Sequence, residues 1–192
     1  MPGYSIRRLL LAAGLAAGAM VAARAATFSC CEIPGRDFPK VGGNYGNQNF
    51  SSLAQITPQT VARLGGAWHV HLEGGSKQFE QQDSVIAIDG VLYVETSQGD
   101  VFAVDGRDGK IIWEYKTNFG PLLHRGVAVG GGRVYATFAQ NHVAALDQKT
   151  GKLLWQVHII DGGSPGHLQG SFKSPVVYYD GLIYFGSADS RR

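Results

Sequence analysis

Apolar residues in the middle of the chain come in short runs rather than long faces. Val91-Leu92-Tyr93-Val94, Val101-Phe102-Ala103-Val104 and Ile111-Ile112-Trp113 form one set; Val134-Tyr135-Ala136, Val143-Ala144-Ala145-Leu146 and Leu153-Leu154-Trp155 form another. Each is rich in β-branched or aromatic side chains and bounded by glycine or aspartate, a pattern that predicts β-strands. Val101–Val104 and Val143–Leu146 have no polar alternation and predict strands covered on both faces. Asp89-Gly90, Gly131-Gly132 and Asp180-Gly181 predict tight hairpins with positive φ. Asp105 and Asp147 open the next turns, where a carboxylate can accept loop N–H groups.

The two sets are one unit repeated. Tyr93, Asp105, Gly109, Lys110 and Trp113 recur 42 positions later as Tyr135, Asp147, Gly151, Lys152 and Trp155, without a gap. A period in the forties built from short strands is the signature of propeller blades, in which each tryptophan fills the wedge to a neighbour. The fold class is therefore all-β, with blades of four-stranded antiparallel sheets. The expected units are residues 84–118 and 119–160, with an incomplete blade over 161–192 opening at Asp180-Gly181-Leu182-Ile183-Tyr184.

Residues 51–83 differ. Thr57-Pro58 fits an N-cap followed by proline, Ile56 and Val61 fit a hydrophobic staple, and Gly65 fits a stop, so one or two helical turns are expected. Gly66–Leu72 then reads as a strand whose Trp68 resembles the blade tryptophans, expected as the outer, closing strand of the propeller's last blade. His69 and His71 share one of its faces, either as a zinc-holding pair or as part of a polar outer face.

Composition adds an export expectation. Of 192 residues, 17 are Lys or Arg and 15 Asp or Glu. Arg7, Arg8 and Arg24 precede the first acid, so the remainder carries 14 basic against 15 acidic residues and gives no sign of a nucleic-acid partner. Arg7-Arg8, the apolar run Leu9–Ala23 and Ala23-Arg24-Ala25 have the order of a secretory signal peptide over residues 1–25, followed by an arm over 26–50. That run is shorter than the ~20 residues of a spanning helix, so no stable membrane span is expected, and the protein is expected to be periplasmic or secreted. The only two cysteines, Cys30 and Cys31, are adjacent. They are either two thiols or one ring disulfide, and no Cys-x-x-Cys metal or haem site exists.

Gly42-Gly43-Asn44-Tyr45-Gly46-Asn47, Ser52-Leu53 with Gln55-Ile56-Thr57, and Ala67-Trp68 resemble the opening of quinoprotein alcohol dehydrogenases. His124-Arg125-Gly126-Val127-Ala128 and Ala145-Leu146-Asp147-Gln148-Lys149-Thr150-Gly151-Lys152 extend the likeness. That family consists of exported eight-bladed propellers binding pyrroloquinoline quinone (PQQ) and calcium. The resemblance implies oxidation of an alcohol or sugar, with a cytochrome c or a quinone accepting the electrons. It places Arg125 where the family has a cofactor-binding arginine, unless it is simply a solvent-exposed or ion-paired arginine beside a strand.

Several positions depart from the family pattern. Gln82 stands where the family has glutamate, and His124 where it has asparagine. The family's adjacent cysteines fall at Phe119 and Gly120, and a cofactor-contacting threonine falls at Phe172. Asp189 resembles the acid that binds calcium, or is an ordinary loop carboxylate. The family's catalytic base is expected beyond Arg192, so the sequence assigns no catalytic residue and reads as the N-terminal part of a longer protein, inactive alone. A propeller that has lost its cofactor and serves as an envelope binding or assembly scaffold is the alternative.

Overall fold

In a computed structural model that describes residues 29–77, 79–159, 172 and 174–186, ten short strands carry almost all the regular structure of the described residues. Strands β1 (Ile86–Ile88), β2 (Val91–Glu95), β3 (Val101–Asp105) and β4 (Ile111–Tyr115) form one antiparallel sheet in chain order. Strands β5 (Ala128–Gly130), β6 (Arg133–Phe138), β7 (His142–Asp147) and β8 (Leu153–His158) form a second. A hairpin of β9 (Val177–Tyr179) and β10 (Leu182–Tyr184) begins a third. These are two four-stranded blades and part of another.

The turn chemistry works as the sequence implies. Asp89 and Gly90 have φ of 51° and 78°, and Asp180 and Gly181 have 46° and 81°, so both central residues of each hairpin are left-handed. Asp147 Oδ1 accepts the backbone N–H groups of Lys149 (3.1 Å) and Thr150 (2.8 Å). Asp105 Oδ1 accepts that of Arg107 at 2.9 Å. The register of β3 against β4 shifts at Ala103/Val104, and that of β7 against β8 at Ala145/Leu146, the same point of the repeat.

The blades stack face to face. Ile86, Tyr93, Val101, Ala103 and Trp113 of the first pack on Val127, Val129, Val134, Phe138, Ala144 and Leu146 of the second. The second in turn lays Ala128, Tyr135 and Ala145 against Val176, Tyr178, Ile183 and Phe185. Trp113 is the wedge: its ring covers Gly151, where a Cβ would stand 2.6 Å away, and its Nε1 donates to the Gln148 carbonyl at 3.0 Å. Trp68 does the same one unit earlier, over Gly109 and onto the Gly106 carbonyl at 3.0 Å. Its likeness to the blade tryptophans is thus a matter of position as well as sequence.

Residues 51–83 form the expected helical turn without the expected staple. The Thr57 cap forms, with the Thr60 N–H on Thr57 Oγ1 at 3.2 Å, but it leads only to a 3₁₀ turn at Val61–Arg63. Ile56 and Val61 are 62% and 50% exposed, so the staple buries nothing and no packing supports further turns. Gly66–Leu72 pairs with no strand among the described residues, and Trp68 anchors it to the first blade.

Cys30 and Cys31 form one disulfide, and Phe38 of the arm bridges Ala87 on the open edge of β1. Residues 1–25, read from the sequence as an export signal, lie outside the described part of the chain. Among the described residues no helix is long and apolar enough to cross a membrane.

Candidate functional site

The inward parity of β2 creates the main chemical feature. Tyr93 and Glu95 face the second blade, 3% and 0% exposed, so a carboxylate ends a strand whose previous inward residue is core. Opposite it, the loop into β5 delivers His124, 3% exposed, with Nδ1 2.9 Å from Glu95 Oε1. The approach is close but out of line: neither ring nitrogen and neither Glu95 oxygen has a well-aligned hydrogen-bond partner among the described residues. Burial pushes the Glu95 carboxyl above its ordinary range, and the His124 charge and contact only partly offset this. Burial, the largest single influence, would lower His124, but the Glu95 charge and contact, with the Thr137 backbone and the Asp83 charge, together outweigh it and His124 also moves up. Both groups therefore stand above their ordinary ranges, Glu95 through burial and His124 through its acidic neighbours.

Asp83 completes the cluster. Its Oδ2 accepts the Glu95 N–H at 2.9 Å, continuing the edge of β2 beyond β1, and Gln81 does likewise by accepting the Ser97 N–H at 3.0 Å. Asp83 Oδ1 lies against Gly126, whose φ of 102° and lack of a side chain permit the contact; a Cβ there would collide with that oxygen. Burial, reinforced by the Glu95 charge, pushes the Asp83 carboxyl up to about 7, against the pull of its backbone hydrogen bonds.

Around this cluster stand the residues singled out from sequence. Gln82 and Arg125 are exposed, and each immediately precedes a member of the Asp83–Gly126 contact. His124 instead turns inward onto Glu95. Phe119 is stacked between Phe138 and His142, with ring centroids 5.6 and 4.1 Å away. Phe172 is buried, edge-on to Phe185 at 4.8 Å. His71 lies 3.5 Å from Glu73 on the surface. Among the described residues no group of three or more His, Cys, Asp or Glu side chains could hold a metal ion, and Asp189 lies outside them. The exposed Arg125 and the Gln82 amide fit an anionic, oxygen-rich ligand such as PQQ in the kind of donor they offer.

Sequence reading missed Asp83 and Glu95. Glu95 was findable, since Val91, Tyr93 and Glu95 fall on one face of a strand by period two. Asp83 was not, because its role depends on a contact with a loop more than forty residues away.

Residues 38–130 match the PQQ family model, described as the glucose/ethanol/alcohol dehydrogenase beta-propeller domain. A quinoprotein alcohol dehydrogenase of Pseudomonas putida is 32% identical over 149 residues, 68% of this chain and 24% of its own length. A 1-butanol dehydrogenase (cytochrome c) of Thauera butanivorans is 38% identical over 94 residues, 44% of this chain and 13% of its own. The crystal structure of quinohemoprotein alcohol dehydrogenase from Comamonas testosteroni matches with a TM-score of 0.70 and 28% identity, over 79% of this chain and 23% of that one. The chain thus spans a quarter or less of these relatives. With the two stacked blades, the tryptophan wedges and these matches together, the chain belongs to the quinoprotein (PQQ-dependent) alcohol dehydrogenase-like β-propeller family.

Proposed function

We propose that this chain supplies the first blades of an exported PQQ-dependent dehydrogenase that oxidises an alcohol or sugar and passes electrons to a cytochrome or quinone. The observation that carries the reading is the meeting of the two blade entrances, Asp83 against Gly126, with Gln82 and Arg125 exposed beside it. An exposed guanidinium suits a cofactor with three carboxylates, and Gln82 offers an uncharged donor and acceptor where a second carboxylate would repel it. PQQ, when bound, supplies an electrophilic quinone carbonyl that takes hydride from the alcohol carbon. The part of this chain is to fix the cofactor's carboxylates. Calcium and Asp189 enter this reading through the family resemblance alone.

The test is a titration of the full-length gene product with PQQ and calcium, read by quinone absorbance and dye-linked alcohol oxidation. Arg125→Ala is expected to weaken PQQ binding by about 10- to 100-fold, the size of one lost charge-assisted contact. Absence of binding at micromolar PQQ refutes the cofactor assignment.

A further inference from the structure

Arg125 sits between two residues that both bear on one carboxylate. On its N-terminal side, the His124 ring lies 2.9 Å from Glu95 Oε1. On its C-terminal side, the Gly126 backbone also approaches the Glu95 side chain and packs on Asp83, whose Oδ2 accepts the Glu95 N–H at 2.9 Å. The loop is held further by Leu122, whose N–H donates to the Ser97 carbonyl at 3.0 Å. Arg125 itself has an exposed side chain, so its backbone is fixed through its neighbours.

We propose that Glu95 is a positioning residue for Arg125: it grips the loop on both sides of the arginine and fixes where the guanidinium meets an anionic ligand. This rests on the reading of Arg125 as the arginine that holds PQQ. Stability alone gives a poor account of Glu95. A buried carboxylate and imidazole recover their desolvation cost only when well aligned, and an apolar pair of similar volume commonly serves a core as well or better. Here neither partner is well aligned among the described residues, and the pair lies between blades whose packed core includes Val101, Val127 and Phe138. What the pair adds is positional: it meets two alternate residues of one loop, with the functional residue between them.

The experiment compares the parent, Glu95→Gln, Arg125→Ala and the double variant in the full-length protein. PQQ affinity is measured by titration and the loop by amide hydrogen exchange. Glu95→Gln is expected to weaken PQQ binding about tenfold. Amides 124–126 should exchange at least tenfold faster, with β3 and β6 unchanged. In the Arg125→Ala background the Glu95 change should cost nothing further, since it acts through that arginine. Unchanged affinity together with unchanged exchange overturns the proposal. Exchange that rises throughout both blades also overturns it, because Glu95 is then only a core residue. If the parent binds no PQQ, the cofactor reading fails, and local exchange at 124–126 still decides whether Glu95 positions the loop. Should Glu95→Gln fail to fold, His124→Gln cuts the same contact from the other side and must give the same local loosening.

Discussion

Replacing Asp83 by asparagine should remove a pH-dependent loss of stability. The Asp83 carboxyl stands at about 7 against an ordinary value of 3.8, because burial beside Glu95 disfavours its charged form. The folded state therefore binds this proton more tightly than the unfolded chain. Its stabilising contribution is full below the unfolded value, falls as pH rises from about 4 to about 7, and changes little beyond. A gap of roughly three units at 1.36 kcal/mol each amounts to on the order of 4 kcal/mol. Asparagine keeps an acceptor for the Glu95 N–H, now held at 2.9 Å, and carries no charge at any pH. Urea unfolding followed by tryptophan fluorescence from pH 4 to 8.5 should show the Asp83→Asn variant close to the parent at pH 4. It should become more stable than the parent by a few kcal/mol at pH 8. Parallel stability profiles for the two proteins would refute the reasoning, since they would place Asp83 in an environment no drier than water.

Other perturbations test the same structure elsewhere. Gly126→Ala should destabilise the chain by about 2–4 kcal/mol, read as a lower urea midpoint, because φ there is 102° and a Cβ would press on Asp83 and Ser84. Trp113→Phe should cost about 1–3 kcal/mol by losing the hydrogen bond to the Gln148 carbonyl and part of the wedge. The matching change Trp155→Phe should cost under about 0.5 kcal/mol in this chain, because Trp155 is 37% exposed.

The blades were legible in the sequence because they are local. Strand runs, paired positive-φ turns and Asp–Gly loops each lie within a dozen residues, and the 42-residue repeat supplied the register between units. Trp113 could be assigned to an interface for the same reason: its counterpart Trp155 showed that the unit recurs. The segment 51–83 was harder. Thr57 and Pro58 signal a helix start correctly, but propagation depends on an apolar surface for Ile56 and Val61, and these side chains remain exposed. Gly66–Leu72 has a strand's composition without a strand partner among the described residues. At the candidate site, Gln82, His124 and Arg125 were visible through family likeness, whereas the Asp83–Glu95–His124 cluster arises from three separate segments meeting across the blade interface. Such a meeting leaves only parity as a trace, and parity pointed to Glu95 alone.

The tryptophan wedges also impose an order in time. Trp113 belongs to the first blade, yet the carbonyl that receives its Nε1–H lies 35 residues later, at Gln148. On a ribosome adding about 5–20 residues per second, that acceptor emerges roughly 2–7 seconds after the ring it must meet. During that interval the indole and the apolar face beneath it are exposed. Each blade is sealed by the synthesis of its successor, and a pause in translation between Trp113 and Gln148 would lengthen the period in which a chaperone, or another nascent chain, can reach that face first.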